Sequence, residues 1–446
     1  MGDFPTHGNS LSESTVQEQR SCRLPQSQSL WIGTCRLRSV SSYTDRRGFL
    51  KVAGSVAASS TLIGTANAAG RGSGTRYAAF NVVDLNTEQV QQKGDEQAAA
   101  AARVIQEIDP DVIVVNELAN NIQKARVADG VPTEKTNIQA FVDNYLSEPQ
   151  HRTLDGIEYE YTLQPTSNTG VLPEESYDFN KDGTAGERPG DAFGFGVFPG
   201  QYAFGIASKH PFDEANIRSF QKFRWTDMPG NLIPLAGEAG VDTDGIYLTE
   251  AETDVYRLSS KTHIDVPFEV DGGTVHGLFS HPTPPVFDGP NNFNGRWNHD
   301  EVRFFADYVA GADYIYDDSG RKGGLADDAS YVLMGDMNAG PGDEPLDPAT
   351  KYFIENDDFT TRRLPTSPGG AQRGNPYATA TFDARPKVDW VLPSPDLSLR
   401  SSSVVWPSKN ASKRGLGEAV DTASDHRMVW ADIDNRQRGA SGRPSR

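Results

Sequence analysis

The sequence predicts a single large α/β domain, and two observations support this fold class. The first is a helical stretch at 98–108, capped by Asp95 and followed after a short turn by an apolar run at 112–117. A helix and a strand joined in this way are typical of α/β proteins. The second is that the chain after Ala68 shows no internal repeat and no change of composition. We therefore expect one domain with insertions.

Further strands are predicted by apolar runs that recur along the chain. These runs lie at 77–82, 202–207, 275–281, 331–335, 388–392 and 428–432. Asn298 and Glu301 match a capping box, which predicts that a helix begins at Asn298. The segments 165–200 and 224–254 have the composition of loops and are interpreted as surface insertions.

The composition excludes several classes of protein. No apolar run reaches the roughly 18 residues of a membrane-spanning helix, and two cysteines cannot form a disulfide scaffold. The formal net charge of −19 argues against a nucleic-acid module with a broad basic face. The 39 Asp and 22 Glu against 13 Lys and 29 Arg favour a protein adapted to concentrated salt; an ordinary acidic soluble protein is the alternative.

The N-terminal region predicts export. Residues 46–68 begin with paired arginines, continue through a short apolar stretch and end in Ala-Asn-Ala, which together indicate a twin-arginine signal peptide cleaved after Ala68. We therefore expect a secreted protein that uses the twin-arginine export machinery. Residues 1–45 are interpreted as a disordered extension or as an over-extended gene start, with true initiation close to Tyr43.

The remaining chain is divided into a domain at 75–434 and a polar tail at 435–446. Within this domain, polar side chains suited to metal or phosphate chemistry lie at or near the ends of the predicted strands. They are Asn81, Glu117, His281, Asp336, Asn338, Asp389, Asp425 and His426. Each one alone could be an exposed loop acid or a structural histidine. Because strand ends hold side chains rigidly at a sheet edge, we expect the set to converge on one site.

These residues lie in six segments that resemble the endonuclease/exonuclease/phosphatase superfamily, whose best-known branch is DNase I-like. The segments are Phe80-Asn81-Val82, Val115-Asn116-Glu117, Ser280-His281-Pro282, Gly335-Asp336-Met337-Asn338, Lys387-Val388-Asp389-Trp390 and Ser424-Asp425-His426-Arg427. The Gly-Asp-x-Asn and Ser-Asp-His motifs are the most specific. The resemblance implies a four-layer α/β sandwich, in which two packed mixed β-sheets are flanked by helices.

A metal site is predicted from the oxygen donors in this set. Hard carboxylate and amide oxygens favour Mg²⁺ or Mn²⁺, with Ca²⁺ as an alternative, over zinc. Glu117 is the leading metal ligand, and Asn81 and Asp425 are supporting candidates. Such a cation would neutralise the charge that develops during phosphate ester hydrolysis.

The other residues are assigned to proton transfer and substrate contact. His426 is the candidate general base, with Asp389 orienting its ring. Asp336 and Asn338 would position the attacking water and a phosphate oxygen, and the resemblance implies that His281 contacts a phosphate or the leaving group. Arg296 could bind a phosphate or be a solvated loop arginine.

The sequence leaves three functions open. The first is a phosphodiesterase, nuclease-like in its chemistry, with nucleic acid among its candidate substrates. The second is a phosphomonoesterase or a hydrolase of lipid or sugar phosphates, because one fold serves all of these reactions. The third is a non-catalytic binding protein, although the full set of acids and the final histidine are present. A monomer is expected.

Overall fold

The computed structural model describes residues 74–121, 133–287, 289–343, 345–382, 386–411 and 415–436. The strands are β1 (Thr75–Leu85), β2 (Val112–Leu118), β3 (Tyr161–Leu163), β4 (Phe204–Ser208), β5 (Arg218–Ser219), β6 (Ile264–Val270), β7 (Gly273–Phe279), β8 (Ser330–Asp336), β9 (Asp389–Pro393), β10 (Ser398–Val404) and β11 (Val429–Asp434). The helices are α1 (Thr87–Gln91), α2 (Glu96–Ile108), α3 (Asn137–Phe141), α4 (Glu250–Thr253), α5 (Phe293–Val309), α6 (Pro368–Gln372) and α7 (Leu416–Ala423).

The strands form two mixed sheets. The first sheet has the order β10-β11-β1-β2-β4-β3, and the second has the order β5-β6-β7-β8-β9. In each sheet one pair is parallel, β1 with β2 and β7 with β8, while the other pairs are antiparallel. The parallel pairs bring the C-terminal ends of neighbouring strands to the same edge of each sheet.

Buried apolar side chains separate the molecule into layers. Tyr77 and Val114 of the first sheet pack with Phe268 and Val332 of the second in the core between the sheets. On the outer face of the first sheet, α2 and α7 share a second core with β1 and β2. On the outer face of the second sheet, α5 packs in a third core with β7 and β8. The prediction of two packed mixed sheets flanked by helices is confirmed.

The ends of α2 follow the signals in its sequence. Asp95 is the N-cap, and its side chain accepts a hydrogen bond from the Ala98 backbone N–H. The helix ends at Asp109, which adopts a left-handed conformation and precedes Pro110. The predicted cap is confirmed, and the helix begins two residues earlier than the apolar pattern indicates.

The predicted capping box at Asn298 is wrong. Helix α5 begins at Phe293, so Asn298 lies inside it and is fully buried. Its Nδ2 donates to the backbone oxygens of Thr283 and Met337, at 2.8 and 3.0 Å. Glu301 is also buried and accepts from two other loops rather than from its own helix. Asn298 and Glu301 therefore do not cap the helix. They are buried side chains that bind neighbouring loops to it.

The insertions agree only in part with the prediction, and the described residues do not test the predictions for the chain ends. The segment 165–200 contains no named helix or strand, whereas 224–254 contains a 3₁₀ turn at Trp225–Asp227 and the short helix α4. The predicted signal peptide at 46–68, the segment 1–45 and most of the tail lie outside the described residues. Within the described parts of the chain, every helix is too short or too polar to cross a bilayer.

Candidate active site

The candidate site lies where strand ends of the two sheets meet. In the first sheet, β1 and β2 run parallel. Asn81 pairs with Asn116 at the last position before a register shift, and Glu117 comes directly after Asn116. In the second sheet, Asp336 at the end of β8 pairs with Asp389 at the start of β9. The predicted residues therefore come from both sheets and face one another across the sandwich.

Two amides of the first sheet hold Asp336 of the second. Asn81 Nδ2 donates to Asp336 Oδ2 and to Glu117 Oε1, each at 3.0 Å. Asn116 Oδ1 accepts a hydrogen bond from the Asp336 backbone N–H at 3.3 Å. The amide oxygen of Asn81 is used elsewhere, because it accepts from the Val83 N–H at 2.9 Å. In this arrangement Asn81 positions two carboxylates and does not offer them its oxygen.

The backbone around these residues is held in an uncommon conformation. Val83, Asp84, Glu117 and Asn338 have φ values of 51°, 48°, 61° and 47°. Left-handed backbone is unfavourable for residues other than glycine and persists where the surrounding structure enforces it. The Asp84 N–H donates to Glu117 Oε2 at 3.0 Å and so ties the two strained segments together.

His426 and Asp389 form a buried pair. His426 Nδ1 lies 2.9 Å from Asp389 Oδ2, and the other ring nitrogen, Nε2, lies 3.8 Å from Asp336 Oδ2. The backbone N–H of Asp389 donates to Thr379 Oγ1, which holds the start of β9 against the loop at 379–381. The pair therefore directs the free edge of the imidazole towards Asp336.

A second imidazole approaches the same carboxylate oxygen of Asp336. His281 Nε2 lies 3.6 Å from Asp336 Oδ2. Asn338 fixes the adjoining loop, since its Nδ2 donates to the Pro282 backbone oxygen at 3.0 Å and its N–H donates to Asp336 Oδ1 at 2.9 Å. Asp336 is thus the centre of the cluster, and both imidazoles face its Oδ2.

Burial and neighbouring charges shift the pKa values of the two histidines in opposite directions. Burial lowers the pKa of His281 well below its usual value, and the positive charges of Lys261 and His426 add to this effect. Burial also lowers the pKa of His426, but the negative charges of Asp389 and Asp336 outweigh burial and raise it to about 10. Burial raises the pKa of Asp336 to about 7, against the favourable charge of His426. The surroundings therefore favour the neutral form of His281 and the cationic form of His426.

Several groups of the cluster could hold a metal ion. Asp336, Asp389 and His426 each offer a ligand atom, and these three atoms lie within 4.8 Å of one another. The short contact between His426 and Asp389 is nevertheless the distance of a hydrogen bond. Glu117 and Asp336 supply further carboxylate oxygens around Asn81. The oxygen-rich donor set fits a hard divalent cation.

Two predicted residues lie away from the centre. Asp425 is exposed; its backbone oxygen accepts from the Thr381 N–H, and its charge helps to raise the pKa of His426. Arg296 donates from Nε to the Asn291 oxygen at 2.9 Å and from Nη1 to the Leu232 oxygen at 3.3 Å. These hydrogen bonds of Arg296 join two loops. Within the described residues, none of the hydrogen bonds of Arg296 reaches the cluster.

Sequence reasoning missed two charged residues beside the site. Lys261 is buried, donates to the Pro282 oxygen at 3.2 Å and has electrostatic interactions with Glu301, Glu117 and Asp336. Asp84 lies next to Glu117, and burial together with the charge of Glu117 raises its pKa to about 6. Lys261 precedes β6, which was not predicted, so it did not lie at the end of a predicted strand. Asp84, three residues after Asn81, could have been found by its closeness to the first motif.

Comparison with known proteins gives the following matches. The family model described as Endonuclease/Exonuclease/phosphatase family matches residues 65–426. No curated protein matches the chain. Similar solved structures include an endonuclease/exonuclease/phosphatase from Beutenbergia cavernae DSM 12333, which is 16% identical with a TM-score of 0.43, covering 80% of this chain and 71% of that one.

Two further solved structures have lower TM-scores. A beta toxin variant from Staphylococcus aureus with bound magnesium ions is 14% identical with a TM-score of 0.37. Sphingomyelinase C from Streptomyces griseocarneus is 14% identical with a TM-score of 0.36. Each alignment covers 80% of this chain and 99% of the other. Because the family model spans most of the sequence, the chain belongs to the endonuclease/exonuclease/phosphatase family, whose members are metal-dependent hydrolases of phosphate esters.

Proposed function

We propose that this protein is a divalent-metal-dependent phosphodiesterase, nuclease-like in its chemistry, that cleaves its substrate with a water activated by His426. The observation that carries the proposal is the buried 2.9 Å contact between His426 Nδ1 and Asp389 Oδ2, with Nε2 directed at Asp336. A carboxylate that accepts a hydrogen bond from one ring nitrogen fixes the tautomer in which the other nitrogen can accept a proton.

We propose Mg²⁺ or Mn²⁺ as the cofactor, with Ca²⁺ as an alternative, and Glu117 as the residue that holds it. Glu117 and Asp336 both direct a carboxylate oxygen at Asn81 Nδ2, and Asp84 adds a third carboxylate nearby. Three acids in so small a space favour a cation between them. A bound divalent ion neutralises the charge that develops on the phosphate oxygens in the transition state.

The remaining residues orient the reactants. Asp336, which both imidazoles face, accepts a hydrogen bond from the attacking water, and Asn338 and His281 contact the phosphate or the leaving group. His281 suits this task because its lowered pKa keeps it neutral. His426 must also be neutral to accept a proton, and any reduction of the negative charge around it lowers its pKa from about 10.

We also propose that the protein is exported through the twin-arginine route and acts outside the cell. This proposal rests on the order of the features at 46–68: paired arginines, a short apolar stretch and Ala-Asn-Ala. N-terminal sequencing of the protein recovered from the culture medium tests it. A chain that begins at Ala69 supports the proposal, and retention of the arginine pair in secreted material contradicts it.

A substrate panel tests the proposed reaction. The purified protein is assayed in concentrated salt with Mg²⁺, Mn²⁺ or Ca²⁺, and with excess chelator, on plasmid DNA, RNA, bis-p-nitrophenyl phosphate and p-nitrophenyl phosphate. We expect hydrolysis of diesters that requires the metal. Cleavage of the monoester alone would overturn the proposed substrate class in favour of a phosphomonoesterase.

A further inference from the structure

Glu301 is a buried carboxylate to which the proposed reaction gives no role. It lies in α5, on the outer face of the second sheet. Its Oε1 accepts hydrogen bonds from the Ser260 N–H at 2.7 Å and the Ser260 hydroxyl at 2.9 Å, and its Oε2 accepts from the Thr283 N–H at 2.6 Å. Burial raises the pKa of Glu301 to about 7, against these hydrogen bonds and the charge of Lys261. A buried carboxylate is costly unless it is paired and hydrogen-bonded, and here the partners are backbone and side-chain groups of two other segments.

The two segments that Glu301 joins lie at one end of a β-hairpin. One segment precedes β6 and the other follows β7, and these strands are antiparallel, with Ile264 at the start of β6 paired to Phe279 at the end of β7. The start of β6 therefore lies beside the end of β7. Glu301 bridges this open end of the hairpin, two residues beyond His281.

The imidazole of His281 has little support from hydrogen bonds of its own. Its Nε2 lies 3.6 Å from Asp336 Oδ2, which is longer than a hydrogen bond. Its Nδ1 makes no hydrogen bond of acceptable geometry within the described residues, although the backbone of Tyr202 is close enough to favour its protonation. The position of this ring is therefore set mainly by the backbone that carries it.

The turn after His281 is held by side chains from several elements. The Pro282 oxygen accepts from Lys261 Nζ at 3.2 Å, and the Thr283 oxygen accepts from Asn298 Nδ2 at 2.8 Å. The contact between the Thr283 N–H and Glu301 is shorter than either, at 2.6 Å. Hydrogen bonds to an ionised carboxylate are stronger than those between neutral groups. Glu301 therefore makes a strong contact to this turn.

We propose that Glu301 is a positioning residue for the reaction: through Ser260 and Thr283 it fixes the turn after His281 and so holds the imidazole at Asp336. The inference rests on the role proposed above for His281, and it adds to the site a residue of the outer helix. Glu301 acts through the two segments that it joins, because its hydrogen bonds go to them. A displacement of about 1 Å in a reacting group is enough to cost activity.

The variant E301Q tests this role with little change in the size of the side chain. An amide has one oxygen and one NH₂ group, so it cannot accept from both Ser260 and Thr283. One of the two segments then faces a donor and must move. S260A, which removes one of the three hydrogen bonds and keeps the charge, is the milder variant if E301Q does not fold.

The same helix offers a matched control in D300N. Asp300 is also buried and accepts two hydrogen bonds through Oδ2, from Trp225 Nε1 and from the Leu232 N–H, each at 2.6 Å. These donors belong to the loop at 225–232 and not to the turn after His281. D300N therefore removes a buried charge and a helix–loop contact of the same kind without changing the contact that holds His281.

Kinetics on bis-p-nitrophenyl phosphate compare the two variants. The assay is run at pH 8.5, above the raised pKa of Glu301, with Mg²⁺ or Mn²⁺ and well below the unfolding midpoint of each protein. We expect kcat to fall at least about tenfold in E301Q and to stay within about threefold of the wild type in D300N. Equal losses in the two variants, or a kcat of E301Q within threefold of the wild type, overturn the proposal.

A double-mutant cycle shows whether Glu301 acts through His281. In the H281Q background E301Q should cost less than about threefold, because the imidazole that it positions is already gone. A tenfold loss in both backgrounds overturns the proposal, since Glu301 would then act on another group. An H281Q protein with the wild-type rate overturns it as well, although metal-dependent diester hydrolysis would still stand.

Histidine ring ¹⁵N spectra separate this inference from the proposed function, because they need no turnover. The His281 signals are identified by their loss in H281Q. They should shift in E301Q and in S260A but not in D300N, in which the signals of His299, whose Nδ1 lies 2.9 Å from Asp300 Oδ1, should shift instead. If the wild type hydrolyses no diester, the proposed function fails and these spectra alone decide the positioning. His281 signals that are unchanged in E301Q overturn it.

Discussion

The pairing of His426 with Asp389 can be tested with a substitution that keeps the shape of the side chain. In D389N the charge that stabilises the imidazolium is lost, and the amide no longer selects one tautomer of the ring. We expect kcat on bis-p-nitrophenyl phosphate to fall by about 10²–10⁴-fold, the range associated with general acid–base catalysis. Circular dichroism should show a native spectrum. A kcat within threefold of the wild type would remove Asp389 from the mechanism.

His263 gives the fold a specific sensitivity to acid. It is buried, its Nε2–H donates to the Glu301 oxygen at 2.9 Å, and its Nδ1 lies 2.7 Å from Ser259 Oγ. Burial lowers its pKa to about 4, so between pH 4 and its ordinary value of 6.5 the unfolded chain binds a proton that the folded chain does not. Stability therefore rises with pH across this window and is fully present above it.

The variant H263Q should have a flatter acid profile than the wild type. From pH 6.5 to 4 the wild type should lose roughly 3 kcal/mol of unfolding free energy through this one residue. The measurement is urea denaturation at pH 7.5, 6.5, 5 and 4 on both proteins. H263Q starts from a lower stability at pH 7.5, because a buried contact has changed, but loses less on acidification. Parallel profiles would show that His263 is not the cause.

Individual residues also show what the sequence could predict about the site. Asn81, Glu117, Asp336, Asp389 and His426 were found because each lies at or near the end of an apolar strand. The Asn81 amide nitrogen donates to both Glu117 and Asp336. Which atom of the amide faces which neighbour is not encoded in any sequence pattern. Lys261 was missed for a related reason, since a buried lysine is identified by its surroundings in the fold and not by its neighbours in the chain.

At the scale of elements, the close approach of β8 to the loop after β7 requires a glycine. Gly335 has φ +146°, and a Cβ placed there would lie 2.2 Å from the Ser280 backbone oxygen. In G335A the two segments must move apart, which separates Asp336 from His281. We expect at least about a 100-fold loss of activity, together with a loss of about 1–3 kcal/mol in unfolding free energy.

The matched control for this variant is G417A. Gly417 lies exposed in α7, and a Cβ added there meets no atom within 4 Å. Alanine in place of a helical glycine should stabilise by roughly 0.5–1 kcal/mol and leave activity unchanged. Activity assays and urea denaturation of both variants check the prediction. Full activity in G335A would show that the site tolerates displacement of this strand end.

The strands that sequence reasoning missed have clear physical features. Strand β6 contains Pro267, which argues against an internal strand. It is tolerated because β5 pairs only with Ile264 and Asp265, so Pro267 lies beyond that short ladder. Strand β10 is largely polar because it lies at the edge of the first sheet, where it has one partner strand. Edge position and ladder length are properties of the assembled sheet, so a local pattern does not predict them.

At the scale of the whole molecule, the acidic surface predicts a response to salt. A net charge of −19 produces self-repulsion that is screened when the Debye length falls to about 3 Å at 1 M salt. We expect the thermal unfolding midpoint to rise by at least about 3 °C between 0.1 and 2 M NaCl, a shift that roughly 1 kcal/mol produces in a large domain. Calorimetry checks this, with KCl as a control for ion identity. A midpoint that is unchanged or lower would contradict salt adaptation.

The overall architecture could be predicted from the sequence to a greater extent than the function. Strand-end motifs in a fixed order span most of the domain, and two sheets that pack face to face bring those ends together. The exposure of Phe195, Phe287 and Phe382 was not predicted, because only the fold distinguishes these side chains from those of core residues. The predicted secretion signal lies outside the described residues and stays a prediction.

In the proposed function, His426 lies in one buried cluster and activates water for metal-dependent cleavage of a phosphodiester. The most direct measurement is the rate of bis-p-nitrophenyl phosphate hydrolysis by the wild type and H426A, with Mg²⁺ or Mn²⁺ and with chelator, on samples of matched thermal stability. We expect metal-dependent turnover in the wild type and a loss of at least about 10²-fold in H426A. Equal turnover by the two proteins, or turnover that persists in chelator, would contradict it.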